Sequence, residues 1–198
     1  MNIALFGGSF NPIHKGHMKL IKAISENYNI DKFILMPTAV SPHKSNNEMV
    51  SDFHRFNMCK LACDRIDSIE VSDWEINRKE KSYTYLTVNY LKTIYPDDNL
   101  YLVIGADMFM CFETWKNFKE ILNNVSLITV PRDDIGYNQM TVYGETLKEY
   151  GARYHILKES VMDVSSSEIR EKIRNKISVS NLLDAKVLEY IENNQLFR

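Results

Sequence analysis

The stretch Ile3-Ala4-Leu5-Phe6-Gly7-Gly8-Ser9-Phe10-Asn11-Pro12-Ile13-His14-Lys15-Gly16-His17 decides the fold. Ile3–Phe6 is a short apolar run ended by two glycines, which reads as a buried strand entering a tight turn. A helix is predicted to begin near Gly16, with Met18, Leu20, Ile21 and Ile24 as its apolar stripe. The unit is strand, turn, helix, and the same alternation recurs outward. Lys32–Pro37 reads as a second strand stopped by its proline, and Thr38–Asn47 as a polar, flexible segment. Ser51 reads as the N-cap of a helix carrying Phe53, Phe56, Met58, Leu61 and Ala62. A strand near Ile69–Ser72 and a helix near Tyr83–Tyr95 follow. Leu100–Ile104 and Ser126–Val130 are apolar runs broken by Gly105 and Pro131. A helix near Gln139–Tyr150, a strand near Tyr154–Leu157 and two closing helices near Ser166–Asn175 and Asp184–Asn193 complete the series.

This pattern predicts an α/β fold: a Rossmann-like, doubly wound, mostly parallel sheet with helices on both faces and a small helical C-terminal extension. No internal repeat or low-complexity linker divides residues 1–198, so one domain is expected. Ligands of such sheets sit beyond the carboxyl ends of the strands. The candidate segments are therefore Gly7–His17, Pro37–Lys44, Gly105–Asp107, Pro131–Arg132 and the loop leading to Ser165.

Composition narrows the function classes. The chain has 198 residues, 44% of them hydrophobic and 25% charged, with a formal net charge of -2. That balance gives no bulk attraction toward nucleic acid or a membrane surface. Its three cysteines, Cys59, Cys63 and Cys111, form no CxxC pair, so a reduced protein without a disulfide framework or structural zinc is expected. Met1–Phe6 has no basic n-region and its apolar run breaks at Gly7, which fits neither a signal peptide nor a membrane span. A cytoplasmic location is expected.

Gly7–His17 matches neither the Gly-Lys-Ser/Thr ending of a P-loop nor G-x-G-x-x-G. Its physics is still suited to phosphate. Paired glycines let backbone N–H groups approach an anion, and a helix start adds its positive dipole end. His14 and His17, three apart, can face one ligand. A plain strand-to-helix turn with surface histidines explains the same residues, and a metal site would need further ligands. Far along the chain, Ser165-Ser166-Ser167-Glu168-Ile169-Arg170 reads as a helix start in which Ser165 and Glu168 form a capping box. That motif does not require Ser166, Ser167 or Arg170. On one helical face, their hydroxyls and guanidinium can converge on an anion.

His14-x-Gly16-His17 resembles the HxGH signature of the nucleotidylyltransferase superfamily, and the whole run Gly7–His17 is similar to that of the bacterial nicotinate-mononucleotide adenylyltransferase family. Val164–Arg170 resembles the superfamily's ISSTxIR-type motif, which holds the β- and γ-phosphates of ATP. The resemblance implies an ATP site of Gly7, Gly8, Ser9, Phe10, His14, His17, Gly105, Asp107, Ser165, Ser166 and Arg170. It implies catalytic roles for His14, His17, Lys44 and Arg170. Pro42-His43-Lys44 resembles a mobile loop whose lysine meets phosphate, and Pro131-Arg132 a strand-end pair; Lys44 and Arg132 are expected to touch substrate. Ser82–Thr87 resembles an SYTxDT segment that would set Thr84 against the nicotinate carboxylate, with Leu86 in place of the usual aspartate. Ile104–Asp107 resembles an IGAD motif whose aspartate meets ribose hydroxyls. As an unadorned residue Asp107 is more often an N-cap. Trp115 would stack on the pyridine ring, and Lys116 stands where the family often has an aromatic residue.

Phe53-His54-Arg55 resembles an F-x-R segment, but a surface arginine is the default there and Arg55 is left outside the site. Asn11 replaces an aspartate found in many relatives, removing a negative charge beside the phosphates. Cys59 and Cys63 are read as core, and Arg78–Lys81 as a solvated turn. The resemblance implies transfer of AMP from ATP to nicotinate mononucleotide, with Mg²⁺ arriving on ATP and no dedicated protein metal site. Expected partners are ATP and nicotinate mononucleotide, not nucleic acid or membrane, and a homo-oligomer is left open. Another adenylyltransferase of the superfamily, acting on pantetheine phosphate, is a rival reading. So is a non-catalytic ATP-binding regulatory protein. A Rossmann oxidoreductase lacks its glycine fingerprint here.

Overall fold

The computed structural model describes residues 1–39, 49–131, 136–158 and 164–198. Strands β1 (Asn2–Gly8), β2 (Lys32–Pro37), β3 (Ile69–Val71), β4 (Asn99–Val103), β5 (Val125–Thr129) and β6 (Arg153–Ile156) form one all-parallel sheet in the order β3-β2-β1-β4-β5-β6. β1 lies at the centre, with Phe6 opposite Leu35 on one side and Val103 on the other. The chain winds outward through β2 and β3, then returns to β4 and winds the other way. The switch between β1 and β4 leaves a crevice at their carboxyl ends.

Strand alternation divides the core into two layers. Ile3 and Leu5 enter one apolar cluster, while Ala4 and Phe6 enter the other. Helices cover both faces, so β1 reads as an unbroken apolar run. On the Ala4 and Phe6 side lie α1 (Lys15–Asn27), α2 (Asp52–Ala62), α8 (Ser166–Arg174) and α9 (Ala185–Asn193). They contribute Leu20 and Ile24, Met58 and Cys59, Ile169, and Val187 respectively. On the other side α4 (Thr84–Ile94), α6 (Phe118–Asn124) and α7 (Tyr137–Lys148) contribute Val88 and Leu91, Ile121 and Leu122, and Met140 and Leu147.

The expected doubly wound fold is the fold observed, and α8 and α9 form its helical C-terminal part. Several details differ. Short helices α3 (Trp74–Arg78) and α5 (Ala106–Phe109), a 3-10 turn at Phe112–Thr114 and α6 have no counterpart in the sequence reading. Each is too short to impose a 3.6-residue period. The apolar face of α2 is also rotated from the expected one. Phe53 is 69% exposed, while Arg55, Met58 and Cys59 are buried. Ser51 does sit at the N-cap of α2, but through its carbonyl, which accepts the Arg55 N–H at 3.2 Å, with no side-chain cap. Cys59 and Cys63 lie in the core as expected, and burial pushes the Cys63 thiol up to about 11. Arg78 ends α3, and Lys79 turns the chain out of it in a left-handed conformation.

Candidate active site

The turn after β1 is shaped by one strained aromatic residue. Phe10 adopts φ 44, in the left-handed region, yet it is only 2% exposed. A left-handed non-glycine residue costs about 1–2 kcal/mol. Packing offsets that cost: the Phe10 ring meets Phe6 edge-on at 5.5 Å and His17 at 5.1 Å between centroids. Gly8 is needed for the same ring, because a Cβ there would lie 3.0 Å from it. The corresponding atom at Gly7 would meet only the Met36 carbonyl, at 3.9 Å. The two glycines thus differ: Gly8 makes room for Phe10, and Gly7 leaves an open wall.

His14 is the N-cap of α1, and its backbone N–H donates to Nδ1 of His17 at 3.2 Å. The two imidazoles stack, with centroids 3.6 Å apart and planes at 30°. Since Nδ1 of His17 accepts, the neutral ring carries its proton on Nε2. Gly16 makes this stacking possible. A Cβ there would come within 2.8 Å of Val164 Cγ1 and 3.0 Å of His14 Nδ1.

Helix α8 closes on this turn from the far end of the chain. Ser165 Oγ accepts the Glu168 N–H at 3.1 Å, which is the Ser165 half of the expected capping box, while the Glu168 carboxylate faces Lys172 at 3.3 Å instead of turning back to the cap. Ser166 Oγ donates to the Pro12 carbonyl at 2.9 Å. Arg170 donates to the Asn11 carbonyl at 3.0 Å and to Ser167 Oγ at 3.2 Å. The Asn11 side chain accepts the Val50 N–H at 3.2 Å, fastening the turn to the start of α2. The C-terminal segment also grips α1, since the Leu182 carbonyl accepts the Lys15 N–H at 2.9 Å.

Together these groups line a cavity of about 650 Å³ bounded by Phe6, Gly7, Gly8, Ser9, Phe10, Asn11, His14, His17, Gly105, Ser165, Ser166 and Arg170. Among the described residues lining it there is no aspartate or glutamate. A second pocket, of about 200 Å³, is lined by Thr38, Glu75, Ser82, Tyr83, Thr84, Trp115 and Lys116. The two share Phe6, Gly7, Gly8, Ser9 and Gly105, so they meet over the carboxyl end of β1. Thr84 is the first residue of α4, and Trp115 packs against Phe112 at 4.9 Å between ring centroids. Asp107 is exposed in the first turn of α5, between Ala106 and Met108, and lines neither space. Gly105, not Asp107, is the N-cap of α5. Lys44 and Arg132 lie outside the described residues.

Two residues of the site escaped sequence reasoning. Arg55, read as a surface residue by default, is fully buried. Its guanidinium donates to the Ser9 carbonyl at 2.7 Å and the Thr38 carbonyl at 2.6 Å, and it pairs with Asp52. It joins α2 to the loops after β1 and β2, which makes it a positioning residue for the wall common to both cavities. A signal was available: Arg55 falls three and four residues before Met58 and Cys59, on one helical stripe. Glu75, from α3, is 6% exposed and lies in the smaller pocket, where Thr87 Oγ1 donates to it at 2.5 Å. Burial raises its carboxyl above the ordinary value, opposed by the Ser82 and Thr87 hydroxyls and by the charges of Arg78 and Arg55. Nothing in the sequence around Glu75 foretold its burial.

Residues 5–172 match the cytidylyltransferase-like family. A relative from Borrelia garinii subsp. bavariensis is 38% identical over 197 residues, covering 100% of this chain and 95% of its own. Another, from Fusobacterium nucleatum, is 38% identical over 193 residues, covering 97% of each. Both are named probable nicotinate-nucleotide adenylyltransferases. The solved Plasmodium falciparum nicotinic acid mononucleotide adenylyltransferase, complexed with NaAD, superposes with a TM-score of 0.80 at 20% identity over 99% of this chain and 97% of that one, a likeness of fold. The chain belongs to the cytidylyltransferase-like family of nucleotidyltransferases and, within it, to the nicotinate-nucleotide adenylyltransferases.

Proposed function

We propose that the protein transfers AMP from ATP to nicotinate mononucleotide, forming deamido-NAD and pyrophosphate in NAD biosynthesis. The observation that carries this reading is the shared wall of the two cavities at the end of β1. ATP seated in the larger cavity and a pyridine mononucleotide in the smaller would present their phosphates to each other there. An oxygen of the mononucleotide phosphate attacks the α-phosphorus of ATP in line. The bond from that phosphorus to the bridging oxygen breaks, and its electron pair leaves on pyrophosphate. Such a displacement asks for positioning and charge stabilisation rather than a covalent protein intermediate.

In this scheme His14 and His17 hold the phosphates at the start of α1 and stabilise charge as it builds. Ser166 and Arg170, both bonded to the turn, anchor the leaving pyrophosphate, and Lys44 adds charge to it. Gly7, Gly8, Ser9, Phe10, Gly105 and Ser165 shape the ATP side. Thr84, Trp115 and Arg132 serve the mononucleotide. The metal enters as Mg-ATP, carried by the phosphates. Among the described residues no group of three or more histidine, cysteine, aspartate or glutamate side chains could hold an ion, and no helix is long and apolar enough to cross a membrane. We place the activity in the cytoplasm, where the three free thiols would stay reduced.

The test is pyrophosphate release from Mg-ATP with each candidate acceptor. Nicotinate mononucleotide should give deamido-NAD, and pantetheine phosphate should give no product. Binding of ATP with no product from any acceptor would overturn this reading in favour of a regulatory protein.

A further inference from the structure

The smaller pocket carries one basic and one acidic group among its described lining residues, Lys116 and Glu75. Their settings differ. Glu75 is buried and tied to Thr87, whereas Lys116 is exposed on the segment after the 3-10 turn, directly following Trp115. The Lys116 ammonium lies 4.5 Å from the ring centroid of Tyr83 and 5.8 Å from that of Tyr85. Those tyrosines flank Thr84 at the start of α4, where no side chain caps the helix and its first turn holds no acidic residue. The positive charge is therefore held over the same corner of the pocket as the positive end of a helix.

A pyridine carboxylate and a pyridine carboxamide differ by one negative charge. In this pocket the carboxylate would be a second anion beside Glu75, and among the described lining residues only Lys116 offsets it. The carboxamide brings no charge, and its N–H groups can donate to Glu75. The two residues thus act on substrate choice in opposite directions. We propose that Lys116 is the specificity-determining residue of this pocket, selecting nicotinate over nicotinamide mononucleotide against the opposite preference of Glu75. The proposal rests on the assignment of the smaller pocket to the mononucleotide.

The experiment measures kcat/KM for both mononucleotides with Mg-ATP at pH 8, in the wild-type protein and in K116M, K116R and E75Q. The nicotinate-to-nicotinamide ratio should fall about tenfold in K116M and stay within about twofold in K116R. In E75Q it should rise, by about fivefold. A purely structural lesion lowers both substrates and leaves the ratio where it was. A ratio unmoved in K116M, or moved the same way by K116M and E75Q, would overturn the proposal while leaving the adenylyltransferase reading intact. A wild-type protein that turns over neither mononucleotide overturns both.

Discussion

The larger cavity takes most of its polar side chains from two continuous stretches, the turn after β1 and the first turns of α8. Beyond the shared wall, the smaller pocket draws its polar side chains from four separate places: Thr38 at β2's exit, Glu75 on α3, Ser82–Thr84 at the start of α4, and Trp115 and Lys116 after the 3-10 turn. The difference follows from what each would bind. A triphosphate is a line of equivalent oxygens, met by backbone N–H groups, hydroxyls and cations packed closely in sequence. A ring with one substituent needs a stacking face on one side and a few discriminating polar groups around its edge. Such groups can come from anywhere the fold brings them.

If the larger cavity stabilises the transition state while the smaller one only binds, substitutions should separate kcat from KM. The largest effect is expected at His17. His17→Ala should lower kcat by at least about a hundredfold, the scale of losing a preorganised donor, with little change in KM for the mononucleotide. Steady-state kinetics on the folded variant would show it, and an unchanged kcat would remove His17 from the chemistry. Gly16→Ala is expected to come next. Its Cβ would press on His14 and Val164, displacing the stacked histidine and joining the two stretches less well. A fall in kcat of about tenfold or more is expected, since small misplacements in such sites are costly.

On the other side, Trp115→Ala should raise KM for the mononucleotide about tenfold, the upper range of one aromatic contact, and leave KM for ATP unchanged. A rise in both would mean that the pockets are not separable. The smallest effect concerns stability. Burial raises the Glu75 carboxyl above its ordinary value in the folded protein, so its protonated form favours folding. That contribution is present below the unfolded value and is lost as pH rises through the raised folded value. E75Q should therefore gain thermal midpoint relative to wild type as pH climbs from about 4 through that window. Parallel melting curves at every pH would contradict it.

Legibility in the sequence follows the same division. The strand–turn–helix at Ile3–His17 and the helix start at Ser165 could be read because each is local, periodic and rich in residues with specific backbone roles. The parallel, doubly wound sheet followed from the alternation of strands and helices, while its strand order came only from the structure. What could not be read are facts about neighbours distant in sequence. Gly16 looks like a helix-start glycine, yet Val164 and His14 are what exclude a side chain. Arg55 looks like a surface cation until the carbonyls of Ser9 and Thr38 converge on it. Glu75 sits in a five-residue helix with no period to reveal its inward face. Asn11 was expected to matter through the charge it lacks; what it makes is a bond to Val50 and an anchor for Arg170.

The bonds from Ser166 and Arg170 to Pro12 and Asn11, and from Lys15 to Leu182, join positions more than 150 residues apart. Contacts so distant along the chain are entropically slow to close. During synthesis the histidine turn leaves the ribosome early and waits, incomplete, for the helix that walls its cavity. Competence to turn over ATP is therefore a late event in the life of each molecule, reached when the final helices dock and not when the signature residues first appear.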